Sequence, residues 1–155
     1  MEASVPIHRY THRDLAARNC LITSGYEVKV ANMSLTRDIY AKEYDRWRGT
    51  AAAPVRWMPP EALADDDFST RADVWSFGVL AWEVFTQGDL PYSGRAGDDI
   101  AAGVAAGSLR LPPLDQCPEP LHAVMRACWS PRSADRPSFS ELAVSIGEMT
   151  VDSDL

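Results

Sequence analysis

The sequence predicts a mainly α domain with a small β-hairpin near its start. Three observations carry that prediction. Helix signals recur from residue 69 to residue 149, each bounded by a capping residue, a glycine or a proline. Two short runs rich in β-branched residues, 20–23 and 27–31, flank a turn at Gly25. The 155 residues, 46% apolar and 24% charged, have the size and composition of one globular domain.

The longest helical pattern starts at Ser69 or Thr70, either of which can cap it, and runs to about Thr86 before Gly88. Its apolar positions are Val74, Phe77, Leu80, Ala81, Val84 and Phe85, with Trp75, Val79 and Trp82 besides. A helix apolar nearly all round is expected to lie buried in the middle of the domain. A second helix is expected over 98–106, ending at Gly107, and Pro112-Pro113 then forces a loop. The third covers 119–129, with Leu121, Val124, Met125 and Cys128 on one face. The fourth starts at Ser138, where Ser138-Phe139-Ser140-Glu141 forms a capping box; its buried face is Leu142, Ile146 and Met149. Between 32 and 60 no periodicity holds. A loop of that length is commonly functional. Residues 150–155 read as a flexible polar tail.

Fifteen basic residues against twenty-two acidic ones give a net charge of −7. An acidic chain is a poor binder of phosphate backbones, so nucleic acid is excluded as a partner. The acidic residues form no run and read as solvated surface. Cys20, Cys117 and Cys128 are odd in number and lack metal-ligand spacing, which fits a reducing compartment and small buried apolar side chains. The first residues lack the basic and apolar regions of a signal peptide. The longest apolar run, 77–85, is about half the ~20 residues a bilayer span needs and contains Glu83, so no membrane span is expected.

The chemistry is concentrated in His12-Arg13-Asp14-Leu15-Ala16-Ala17-Arg18-Asn19. An Asp there can orient a substrate hydroxyl and accept its proton. An Asn five residues on can give an oxygen to a magnesium ion. This octet resembles the H-R-D-x-x-x-x-N catalytic loop of the protein kinase family, and the resemblance extends over nearly the whole chain. It implies the large C-terminal lobe of the α+β kinase fold, with the catalytic loop at 12–19, an activation segment at 32–61 and late helices over 70–149. Asp14, Arg18 and Asn19 are then the catalytic positions. Ala16-Ala17-Arg18 resembles the tyrosine-specific branch, as does Pro54-Val55-Arg56-Trp57-Met58, similar to that branch's substrate-docking loop. His12 is read as a packed structural residue. Arg13 has two readings, a partner for a phosphorylated loop tyrosine or an ordinary loop arginine.

Later landmarks agree in order. Pro59-Pro60-Glu61 resembles the A-P-E motif. Asp73-Val74-Trp75-Ser76-Phe77-Gly78 resembles the start of the family's central helix, where Asp73 can accept hydrogen bonds from the catalytic-loop backbone. Cys128-Trp129 and Asp135-Arg136-Pro137-Ser138-Phe139 resemble its late helices. The resemblance implies a buried ion pair between Glu61 and Arg136.

The departures matter as much. Asn32-Met33-Ser34 stands where the family has D-F-G. Magnesium prefers charged oxygen ligands, and Asn32, paired with Asn19 in a degenerate metal site, offers a neutral amide. Ser34 replaces a glycine of free backbone. Only eleven residues precede His12, so the N-terminal lobe, with its Gly-rich loop and strand lysine, is expected to be absent. ATP and Mg2+ are the family's cofactors, and these departures place their binding by this fragment in doubt. Tyr40 and Tyr44 resemble the phosphorylated loop tyrosines of receptor kinases, with Asp45 where some relatives carry a third; the other reading is a pair of solvent-exposed tyrosines. Ser153-Asp154-Leu155 has the form a PDZ domain captures by strand addition, or is an idle tail.

Together these features resemble the receptor-type pseudokinases of the inactive tyrosine-protein kinase 7 group, called off-track in insects. That resemblance implies a cytoplasmic part of a plasma-membrane receptor, associated with Wnt and planar-polarity signalling, docking signalling proteins or other receptors and kinases. The alternative is an active tyrosine kinase that passes the ATP γ-phosphate to protein tyrosine with Asp14 as base. A third possibility is a truncated fragment without a function of its own.

Overall fold

The computed structural model describes residues 10–31, 40–48, 52–115 and 117–151. Asn32-Met33-Ser34 and Ser153-Asp154-Leu155 lie outside the described residues. Among the described residues four short strands and five helices follow in order: β1 (Cys20–Ile22), β2 (Val28–Val30), β3 (Asp45–Arg46), β4 (Ala52–Ala53), α1 (Pro60–Asp65), α2 (Thr70–Phe85), α3 (Gly97–Ala105), α4 (Glu119–Cys128) and α5 (Phe139–Val151). This is the mainly α lobe that the sequence predicts.

β1 and β2 pair antiparallel, with Cys20 opposite Val30 and Ile22 opposite Val28. Thr23 closes the turn. Its carbonyl accepts the Tyr26 N–H at 3.0 Å and its hydroxyl accepts the Glu27 N–H at 3.1 Å. The left-handed residue of this turn is Tyr26 (φ 61°), not Gly25.

The segment expected to be irregular up to residue 60 holds more structure than its pattern shows. β3 pairs with β4, and 3-10 turns cover Ala41–Glu43 and Val55–Trp57. Two-residue strands are too short to display a period. α1, which begins at the last residue of that stretch, is a further element that the sequence pattern does not mark. Pro60 sits at its first turn, where a missing N–H costs nothing and φ is already helical. Asp66 (φ 56°) closes it, donating its N–H to the Glu61 carbonyl.

Ser69 caps α2, its hydroxyl accepting the Ala72 N–H. Gly88 (φ 96°) follows the far end. Trp75, Val74 and Val79 of α2 are buried in one core with Trp57, Ile100 and Met125. The expectation of burial all round fails at one face. Val84 is 64% exposed and Phe85 40% exposed. Together with Phe77, Leu80, Ile22 and Val28 they line an open apolar groove of about 380 Å³. The helix is apolar on that side, and nothing among the described residues covers it.

The capping box of α5 forms as its spacing requires. The Ser138 hydroxyl accepts the Glu141 N–H at 3.2 Å, and the Glu141 carboxylate accepts the Ser138 N–H at 2.6 Å. α5 runs through Val151, two residues into the segment read as tail.

Two contacts lock the helices together. Arg136, 2% exposed, donates two parallel hydrogen bonds to Glu61 at 2.6 and 2.8 Å. It also donates to the carbonyls of Ser130 and Arg71 at 2.9 and 3.0 Å, and its guanidinium lies over the Trp75 ring. Gly78 brings α2 against the end of α4: a Cβ there would stand 2.7 Å from Trp129 Nε1 and 2.8 Å from Cys128 Cβ.

Both contacts make measurable claims. Glu61→Gln leaves the buried Arg136 without its counter-charge and is expected to cost about 3–5 kcal/mol. Gly78→Ala is expected to cost about 1–3 kcal/mol by overpacking. Urea unfolding midpoints of the two variants against the parent chain measure these losses.

Candidate functional site

The segment 12–19 is held against the core by two carboxylates of α2. Asp73 Oδ2 accepts the His12 N–H at 2.7 Å, and Oδ1 accepts the Arg13 N–H at 2.9 Å. These bonds accompany a left-handed backbone at Arg13 (φ 68°), costly for a side chain with a Cβ and tolerated where the surroundings over-determine it. His12 ties the segment to the end of β2. Its ring suits the tautomer protonated at Nε2, which donates to the Ala31 carbonyl at 3.0 Å while Nδ1 accepts the Asp14 N–H.

Asn19 is fully buried. Its amide donates to the Asp14 carbonyl at 2.6 Å, and its own carbonyl accepts the Ala31 N–H at 2.8 Å. The position just before Asn32 is therefore fastened by both His12 and Asn19.

Glu83, the second α2 carboxylate, was passed over in the sequence as one charge in an apolar run. It is buried. Its Oε2 accepts the Ala17 N–H at 3.1 Å and the Trp57 indole N–H at 2.8 Å. It joins the loop 12–19 to the turn 55–57. Burial raises its pKa, the bonds to Trp57 and Ala17 and the charge of Arg18 pull it back, and Glu43 pushes it up; the net is upward. A signal existed: an acid among Trp82, Val84 and Phe85 on a buried helix needs internal donors.

Arg18 lies between two rings, 4.5 Å from the Tyr44 centroid and 4.3 Å from that of Trp57. One terminal nitrogen pairs with Asp14 Oδ1, and the other donates to Glu43 Oε2 at 2.8 Å. Nε donates to the Tyr44 hydroxyl at 2.8 Å, and that hydroxyl donates to Asp14 Oδ2 at 2.7 Å. Burial works against the guanidinium charge, but Asp14, Tyr44 and Glu43 outweigh it and hold the pKa above its ordinary value.

Tyr44 is thus a buried member of the site, which rules out the solvent-exposed reading for it. Tyr40 is exposed. Asp45 pairs with Arg56 at 3.4 Å. Arg56 points inward, donating to the carbonyls of Pro91 and Arg95 at 2.9 and 3.1 Å. Arg13 is exposed and stacks on Phe68.

Among the described residues no group of three or more His, Cys, Asp or Glu side chains is placed to hold a metal ion. The donor set that the sequence offers, Asn19 and Asn32, is made of neutral amides. Both oxygens of Asp14 are engaged by Arg18 and Tyr44. This set does not fit magnesium, which favours carboxylate oxygens.

The family model described as protein tyrosine and serine/threonine kinase matches residues 6–146. The chain belongs to the protein kinase family. It is 53% identical over 145 residues to inactive tyrosine-protein kinase 7 of Gallus gallus and 50% identical over 146 residues to that of Homo sapiens, each match covering 94% of the chain. It is also 45% identical over 139 residues, 90% of the chain, to the insulin-like growth factor 1 receptor of Xenopus laevis. The chain spans 14% of the length of the first two relatives and 10% of the third. The resemblance to the protein tyrosine kinase family is thereby shown. No helix among the described residues is long and apolar enough to cross a membrane.

The raised pKa of Glu83 has a definite sign. A carboxyl whose folded pKa lies above its unfolded value adds stability below the unfolded pKa and loses it as pH rises through the folded one. Glu83→Gln keeps an amide oxygen for Ala17 and Trp57 but does not titrate. The stability of the parent chain relative to Glu83→Gln is expected to fall as pH rises above the ordinary glutamate value of about 4. Chemical denaturation at several pH values measures it.

Proposed function

We propose that this chain is the C-terminal lobe of a receptor-type pseudokinase that docks partner proteins in signalling and does not transfer phosphate. The observation that carries the reading is the donor set. Asn32 replaces the aspartate that would hold magnesium against the ATP phosphates, so ATP and Mg2+ are not bound productively. The relatives named inactive tyrosine-protein kinase 7 support the same reading. By that likeness the lobe belongs to the cytoplasmic part of a plasma-membrane receptor. Its partners are signalling proteins, other receptors or other kinases, in Wnt and planar-polarity signalling. Tyr40, which is exposed, serves as a phosphorylation site for a second kinase, and Tyr44 does so once its hydroxyl leaves Asp14 and Arg18.

The second reading, an active tyrosine kinase with Asp14 as base, is favoured by the presence of Asp14, Arg18 and Asn19 together. Phosphotransfer by the full-length receptor form, before and after Asn32→Asp, separates the two. The unaltered protein is expected to show no magnesium-dependent transfer from ATP to a tyrosine peptide. Appreciable transfer without the substitution would overturn the pseudokinase reading.

A further inference from the structure

A second cavity stands apart from the loop 12–19. It measures about 490 Å³ and lies between Trp82 of α2, the turn 89–95 and the segment 109–112 that follows α3. No residue of 12–19 or 40–48 lines it. Its wall is preformed. Arg56 donates to the carbonyls of Pro91, Tyr92 and Arg95 at 2.9, 3.2 and 3.1 Å and so fixes the turn.

Leu90, Leu109 and Pro112 make part of the wall apolar. The polar part carries an excess of donors. Trp82 is 6% exposed, and its indole N–H is buried without an acceptor among the described residues. Such a donor is costly to leave unmet. Arg95 and Arg110 line the same cavity. Arg110 donates to the carbonyls of Val104 and Leu109 at 3.2 and 2.7 Å, and neither arginine pairs with a carboxylate among the described residues. The chain holds twenty-two acidic residues against fifteen basic ones, so a shortage of acids does not account for two unpaired guanidiniums in one hollow. Burial lowers the Arg110 pKa, Tyr92 pulls it back, and the Arg136 charge lowers it again. Burial pushes the Tyr92 phenol up to about 12, so it stays a donor at neutral pH. Asp89, the one carboxylate on the lining, is exposed, where solvent screens it.

We propose that this cavity binds a small organic anion, a flat apolar body ending in a phosphate or carboxylate group. The guanidiniums of Arg95 and Arg110, the Tyr92 hydroxyl and the Trp82 indole N–H supply the donors. Leu90, Leu109 and Pro112 enclose the body. The volume lies within the roughly 300–1,000 Å³ of small-molecule sites, and the wall shares their mixture of apolar surface and few polar groups. Such binding is independent of the docking reading and holds whether or not the chain transfers phosphate.

The test titrates the whole 155-residue chain, isotope-labelled, and follows the Trp82 indole N–H signal by NMR. Phenyl phosphate is the probe, with benzoate, benzyl alcohol and inorganic phosphate beside it. Phenyl phosphate and benzoate are expected to move the signal to saturation. Phenyl phosphate is expected to bind at least about tenfold more tightly than benzyl alcohol, and more tightly than inorganic phosphate, which lacks the apolar body. Arg110 is left in place because its bonds to the end of α3 also hold the fold. Arg95→Gln removes a side chain that makes no bond among the described residues, and is expected to weaken phenyl phosphate about tenfold. An unmoved Trp82 signal, equal affinity for benzyl alcohol, or unchanged affinity in Arg95→Gln overturns the proposal. A short blocked phosphotyrosine peptide separates the sources of the anion. It is expected to bind more weakly than phenyl phosphate, since its backbone must stay outside the hollow. Tighter binding of the peptide would assign the site to a protein-borne phosphate and overturn the small-molecule reading.

Discussion

The site depends on two acids on one buried helix. Asp73 and Glu83 stand ten residues apart on α2, about 15 Å along its axis. Asp73 takes the backbone N–H groups of His12 and Arg13, and Glu83 takes that of Ala17. The loop 12–19 is thereby fastened near both ends to the longest of the described helices. Buried carboxylates are costly unless donors surround them, and backbone N–H groups in an irregular loop need acceptors as much as carboxylates need donors. Each need meets the other. The loop has no ladder of its own, and α2 supplies in its place the acceptors that a sheet would have given.

From that anchorage the rest of the site extends outward. Glu83 also receives the Trp57 indole, so the turn 55–57 is placed relative to the loop by one shared oxygen. Trp57 forms one wall beside Arg18, and Arg18 gathers Asp14, Glu43 and Tyr44 around its charge. A single cation facing two carboxylates inside the lobe is stable because each guanidinium nitrogen is matched in direction as well as sign. The segment 40–48 is thus held to the loop by charge and stacking rather than by an extended sheet; β3 and β4 contribute only two residue pairs.

Helix signals made most of this lobe legible in the sequence. Ser69, Gly88, Gly107 and the Ser138–Glu141 box mark ends that the structure places within a residue or two. The octet 12–19 was legible because its chemistry fixes its spacing. Three features were not. α1 hid behind Pro59-Pro60, which read as a loop although proline is favoured in a first helical turn. The exposed side of α2 was hidden because periodicity reports which residues are apolar, not whether anything covers them. Glu83 and Tyr44 were hidden because their roles depend on partners 66 and 30 positions away in the chain, which no local pattern contains.

The octet illustrates why a catalytic sequence does not by itself establish catalysis. His12 bonds to Ala31, Asn19 bonds to Asp14 and Ala31, and Arg18 binds Asp14, Glu43 and Tyr44. Each of these contacts joins groups of the lobe itself. Removing Arg18 or Asn19 would leave buried groups unmatched whether or not the chain transfers phosphate. Asn32 has a different physical standing, because the aspartate of active relatives is needed for the cation it binds. The structural residues of the loop and the metal-binding residue after β2 are therefore under different constraints, and a chain that docks and does not catalyse can carry the first set intact while the second has changed.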